Sequence, residues 1–324
     1  MRDRDLTSEP TPPGRIAAVD VARGLALVGM GAYHLTWDLA HFGFVAQSVP
    51  FSPAMRLLSH AVAGSFLALV GFSFALAHSK GLRRAAFLRR LAIVFAAALL
   101  VTVASEFLAP DEPITFGILH CIAAASLLAA LFVGAPAWAS LAVGLLALAA
   151  PLVVTSGRFD PPALIWLGLG TTAPPTLDWR PLFPWAGVVL LGLALARALP
   201  PRVFAAAWAR WRPQALAGRA IAFAGRHSLA IYLVHQPILF ALLFAIAGLT
   251  GVAARQERSS YLATCRPSCV ENGGELDPCA KACACVADRA HAAGISLGAA
   301  RGPGDDEAGR RLKAIVTTCG EEAQ

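Results

Sequence analysis

Residues 16 to 41, IAAVDVARGLALVGMGAYHLTWDLAH, decide how this chain folds. The run is apolar over more than the roughly 20 residues that a helix needs to cross a bilayer, yet it carries Asp20, Arg23, His34, Asp38 and His41. Wound as an α-helix, those residues and Met30 recur at spacings of three, four, seven and eleven, so they share one stripe. A helix that is apolar on every side but one, with charge on that side, belongs in a membrane with its polar stripe turned toward other helices.

The rest of the chain extends that reading. The 324 residues are 57% hydrophobic and 15% charged, against about a quarter charged in soluble domains, which excludes a soluble enzyme and a disordered chain. Apolar runs bounded by charge or Pro/Gly clusters give about seven expected spans, near 16–36, 57–78, 91–108, 115–133, 137–155, 183–199 and 227–248. The expected fold is therefore all-α, a polytopic membrane helix bundle. Alternate loops hold fourteen basic residues, among them Lys80, Arg83, Arg84, Arg89, Arg90 and Arg226, against Arg56, Arg158 and Arg180 in the others. By the positive-inside rule residues 1–15 form a cytoplasmic segment, 16–250 the membrane domain, and 251–324 a tail on the far side. The net charge of +7 thus reports topology, and no nucleic-acid partner is implied.

That tail has its own composition. It is nearly neutral and holds six of the seven cysteines: Cys265, Cys269, Cys279, Cys283, Cys285 and Cys319. In an oxidising compartment six cysteines in a short polar segment read as up to three disulfides, with the connectivity open; thiolate coordination of zinc is the competing reading. Cys121, inside the fourth span, reads as a small core residue.

Polar groups within the spans are the candidates for chemistry. His34 and Asp38, four residues apart, pair an imidazole with a carboxylate that can orient it as a base, and His120 enters the same outer half from the fourth span. Asp178, Arg180 and Trp185 arrive there from the segment before the sixth span, and Trp37 lies one residue before Asp38. Asp20 and Arg23 read as an ion pair near the cytoplasmic end. His41, His60 and His78 read as single interface histidines. The Pro-interrupted segment 156–182 reads as a cover over the outer mouth.

These residues form segments that resemble the heparan-alpha-glucosaminide N-acetyltransferase family, most closely its bacterial branch. Arg15 through Ala26, continuing to Tyr33-His34 and Trp37-Asp38-Leu39, resembles the family's first span. Phe116-Gly117-Ile118-Leu119-His120, then Asp178 with Pro181-Leu182-Phe183-Pro184-Trp185, then Gly225 through Pro237 resemble three further motifs in the same order. The resemblance implies an integral acyltransferase of a bacterial plasma membrane that moves an acetyl group from cytoplasmic acetyl-CoA to an amino sugar or other glycan beyond the bilayer, with a homodimer as a possible assembly. In that reading His34, Asp38 and His120 are catalytic. Arg23, Arg83, Arg84, Arg226, His227 and His235 meet acetyl-CoA, and Asp178, Trp185 and Trp37 meet the acceptor.

The chemistry is consistent with the residues taken alone. Acyl transfer from a thioester needs a base for the nucleophile's proton and donors for the developing oxyanion. Arginines suit the coenzyme's phosphates, although positive-inside loops are basic whatever their function. No zinc-protease motif, Gly-rich phosphate loop or nucleophile elbow occurs in the sequence. A transporter whose polar stripe lines a path is the alternative reading, and a haem site between histidines a more distant one.

Overall fold

A computed structural model describes residues 16–200, 203–204, 207–297 and 307–323, so the N-terminal segment and Arg202 lie outside the described residues. Twelve α-helices, three short 3-10 turns and no strand are found among the described residues: α1 (Ala17–His41), α2 (Pro53–Ala77), α3 (Arg84–Leu108), α4 (Ile118–Leu131), α5 (Ala137–Val153), α6 (Leu182–Ala198), the single turn α7 (Ala207–Arg210), α8 (Leu216–Arg226), α9 (Ser228–Thr250), α10 (Val252–Glu271), α11 (Leu276–Ala292) and α12 (Glu307–Glu322). Each of the seven expected spans is helical. Three of them, α2, α3 and α9, are long and apolar enough to cross a membrane. The apolar helices α4, α5 and α6 are shorter, at 14, 17 and 17 residues. At 1.5 Å per residue α4 rises only about 21 Å, less than the roughly 30 Å of a hydrocarbon core.

The distribution of side chains is that of a bilayer protein. On α1 the stripe's two carboxylates are buried, with Asp20 2% and Asp38 4% exposed, and Arg23 and His34 are half-buried, while Leu25 and Val28 are 55% and 62% exposed. On α3 and α9, Ile93, Leu100, Phe107, Ile238 and Phe244 likewise point outward. In water this pattern would forfeit about 25 cal/mol for every Å² of apolar surface left wet; in lipid the apolar side costs nothing.

By packing, the chain divides into two units, one holding the residues up to His34 and Pro53–Gln236, the other Leu35–Ser52 and Pro237–Gln324. The first is built on α6, whose Val189, Leu190 and Leu193 are fully buried against Leu67 and Phe74 of α2 and Cys121 and Ala125 of α4. Lipid gives helices no hydrophobic reason to associate, so contact depends on close backbone approach at small residues. A methyl group at Gly71 would overlap the Val189 carbonyl, and one at Gly192 would overlap that of Ala68. The same close approach joins α8 to α1, where Gly225 lies on the Asp20 carbonyl.

In the second unit Phe42, Leu243 and Ala247 form one small core. Gly251, in the left-handed region at φ +64°, ends α9 and lets α10 begin in a new direction. The six tail cysteines form three disulfides: Cys265–Cys283, Cys269–Cys279 and Cys285–Cys319, with Cα separations of 6.0, 5.8 and 5.7 Å. The first two form rungs of a ladder, because residues four apart on α10 face residues four apart on the antiparallel α11. The third ties α12 to α11 around Val286, Ala287, Ala290 and Leu312. A core this small is of the kind that crosslinks commonly reinforce.

Candidate active site

The first unit gathers its polar groups at one place. Asp178, in the segment before α6, accepts a hydrogen bond from the Ile118 backbone N–H at 2.8 Å and so caps the N-terminus of α4 from 60 residues away. Gly117 makes room for it, since a methyl group there would come within 2.5 Å of the carboxylate oxygen. Arg180 donates its backbone N–H to the Phe116 carbonyl at 3.3 Å. The two sequence motifs at 116–120 and 178–185 are thus a single interlocked feature, and they fix where α4 begins.

Arg180 is the hub of that feature. Its guanidinium donates to Ser59 Oγ of α2 at 2.6 Å, lies 4.0 Å from the Asp178 carboxylate and sits over the Trp185 ring at 5.5 Å. Its Nε is buried without a hydrogen-bond partner. Trp185 in turn meets His60 at 5.7 Å between ring centroids.

His120 is held on both sides. Its Nδ1 accepts from the Gly117 backbone N–H at 3.3 Å. Its Nε2 lies 3.3 Å from Thr102 Oγ1, and that hydroxyl already donates to the Ile114 carbonyl at 2.7 Å. The hydroxyl's proton is spent, so His120 Nε2 is the donor and neither ring nitrogen is spare.

His34 meets a histidine from another helix. Its ring lies 5.0 Å, edge to face, from that of His235 on α9. His235 Nδ1 donates to the Tyr232 carbonyl at 2.6 Å. The neutral ring therefore carries its proton on Nδ1, and the lone pair is on Nε2, which is buried with no hydrogen-bond partner. Arg180 lies within electrostatic reach of His34, as do Asp178 and Arg180 of Tyr232, so the pair and the Arg180 hub share one neighbourhood. Buried polar atoms are nearly always satisfied, and two without a hydrogen-bond partner, His235 Nε2 and Arg180 Nε, fall in this neighbourhood.

Other expected site residues lie elsewhere. Trp37 and Asp38 fall in the second unit. Arg23 is held by Asp20 at 3.4 Å and by Ser73 of α2. Arg226 ends α8 and is exposed, and His227 stacks on Phe223 at 4.5 Å. Arg83 and Arg84 open α3. The segment 156–182 is an ordered loop tied by Asp160, which accepts from the Thr171 N–H at 2.6 Å and hydroxyl at 2.7 Å. The Thr171 hydroxyl holds the Asp160 carboxyl below its usual range. Ser59 and Thr102 escaped the sequence reading because nothing in their spacing distinguishes them from ordinary packing residues.

Residues 15–237 match the family model described as heparan-alpha-glucosaminide N-acetyltransferase, catalytic. The chain belongs to that family. No curated protein and no solved structure matches it. The heparan-alpha-glucosaminide N-acetyltransferase match ends one residue past Gln236, where the first packing unit also ends, so the disulfide-bonded tail lies outside it. Apolar spanning helices and this family make the chain a membrane acetyltransferase, and the gathered site lies within the matched region.

Proposed function

We propose that the chain moves an acetyl group from acetyl-CoA to the amine or hydroxyl of a sugar, with the donor entering at the Arg-rich ends of α2 and α3 and the acceptor at the His34 end of the bundle. The observation that carries this is the His34–His235 pair beside the Arg180 hub. The topology that goes with it has seven spans, a cytoplasmic N-terminus and an extracytoplasmic tail.

In the reaction, the acceptor nitrogen or oxygen attacks the thioester carbonyl and loses its proton to the histidine pair. The tetrahedral oxyanion is held by Arg180, whose Nε–H, 4.0 Å from the Asp178 carboxylate, makes no hydrogen bond within the protein. The C–S bond then breaks, and the imidazolium returns its proton to the departing CoA thiolate. One proton is exchanged between the pair and the reactants per turnover. Asp178 positions Arg180, and His120, spent on both nitrogens, holds the loop that presents them.

Full-length protein in detergent, given acetyl-CoA and a glucosamine-terminated acceptor, tests this reading. His34→Ala and His235→Ala should each lower kcat about 10²- to 10⁴-fold with thermal stability retained. Unchanged turnover in both variants would remove the pair from the chemistry, and substrate flux with no dependence on acetyl-CoA would favour a transporter.

A further inference from the structure

A second polar feature lies at the opposite end of α2 from Ser59. A partly open cavity of about 130 Å³ lies where α2 turns into α3, and its lining includes His78, Arg83, Arg90, Phe74, Phe87 and Ser126. That is roughly ten times the space one water molecule needs. None of its lining residues is acidic. Among the described residues no carboxylate pairs with either arginine.

Three kinds of donor converge on this space. His78 is only 5% exposed, and its Nδ1 accepts the Arg83 backbone N–H at 3.3 Å, which leaves the ring proton on Nε2 as a donor. Arg83 and Arg90 bring two guanidinium groups, the side chain best matched to phosphate oxygens. Ala86, in the first turn of the 25-residue α3, also lines the cavity, and no side chain caps that helix N-terminus or places an acid in its first turn. The positive end of the α3 dipole therefore adds to the charge. A buried histidine and two arginines without an acid between them oppose one another until an anion is present.

We propose that this cavity is a phosphate-binding site. The aromatic walls from Phe74 and Phe87 suit the organic part of a phosphate ester rather than a bare ion alone. α4 links the cavity to the active site: His120 belongs to the site, while Ala123 and Ser126 line the cavity three and six residues later, about 5 and 9 Å of helix rise away. One molecule with a phosphate at one end and a reactive thioester at the other fits that relation, so the phosphate end of the coenzyme is the expected occupant. In that form the inference rests on the proposed acetyl transfer, whereas the phosphate site does not.

The test uses the full chain in detergent and calorimetric titration with adenosine 3′,5′-bisphosphate, inorganic phosphate, and vesicles of phosphatidylglycerol against phosphatidylcholine. Arg83→Gln and Arg90→Gln should each weaken bisphosphate binding about tenfold or more, and Arg90→Lys should recover part of the loss. A parallel melting curve shows whether the variants fold. Loss confined to phosphatidylglycerol vesicles would keep the site and make lipid its source. Folded glutamine variants that bind every probe as the parent does would overturn the proposal. The two readings separate cleanly: bisphosphate binding by the parent protein with no acetyl transfer keeps the site and sinks the enzyme. Transfer with an unchanged KM for acetyl-CoA in an Arg90→Gln variant that also binds the bisphosphate as the parent does sinks the site and keeps the enzyme.

Discussion

At the scale of single residues, Asp178 shows how a motif's meaning depends on its partner. In the sequence Asp178 reads as an acceptor-binding carboxylate; folded, it caps α4 and stands beside Arg180. The two roles can be pulled apart. Asp178→Ala should cost about 1–2 kcal/mol of stability, whereas Asp178→Asn, still a good cap, should keep most of it. If Asn restores thermal stability but leaves transfer slow, the carboxylate's charge serves Arg180; equal stability of all three proteins would mean that the cap contributes nothing. His235 carries a similar lesson. In the sequence it reads as a contact to the coenzyme; folded, its Nδ1 donates to the Tyr232 carbonyl and its ring meets that of His34, 201 positions away.

At the scale of elements, helix existence was legible because a spanning helix is specified by one local quantity, apolar length. Helix ends were less so. The fourth span starts at Ile118 rather than near 115 because Gly117 and Asp178 form its cap, a contact between segments far apart in the chain. The packing of α2 on α6 depends on Gly71 and Gly192, and it gives a direct comparison within one helix. Gly71→Leu should destabilise the protein by about 1–3 kcal/mol or more, as larger side chains forced into tight contacts do. Gly64→Leu, also on α2 but with open space around it, should change the melting temperature in detergent little. Similar losses in both variants would show that helix propensity, not the α2–α6 contact, sets the cost.

At the scale of the whole molecule, the family region and the tail are held by different means. The first unit relies on close helix contact in lipid, the tail on crosslinks. Opening the Cys265–Cys283 bridge, which closes a separation of 18 residues, removes about 3 kcal/mol of constraint on the unfolded chain. Non-reducing peptide mapping should return the three observed pairs, and Cys265→Ser with Cys283→Ser should make the tail sensitive to protease while acetyl transfer by residues 15–237 continues. Loss of both together would mean that the tail is needed to hold the acetyltransferase itself.

The sequence by itself determined the class of fold, the helical segments, the family and the confinement of crosslinking cysteines to the tail, because each follows from composition, periodicity or motifs along the chain. Tertiary structure decided the rest. Which cysteines pair, which histidine faces His34, why Gly117 must be glycine and where two arginines meet a buried histidine are all contacts between residues brought together only by packing, and no local property of the chain encodes them.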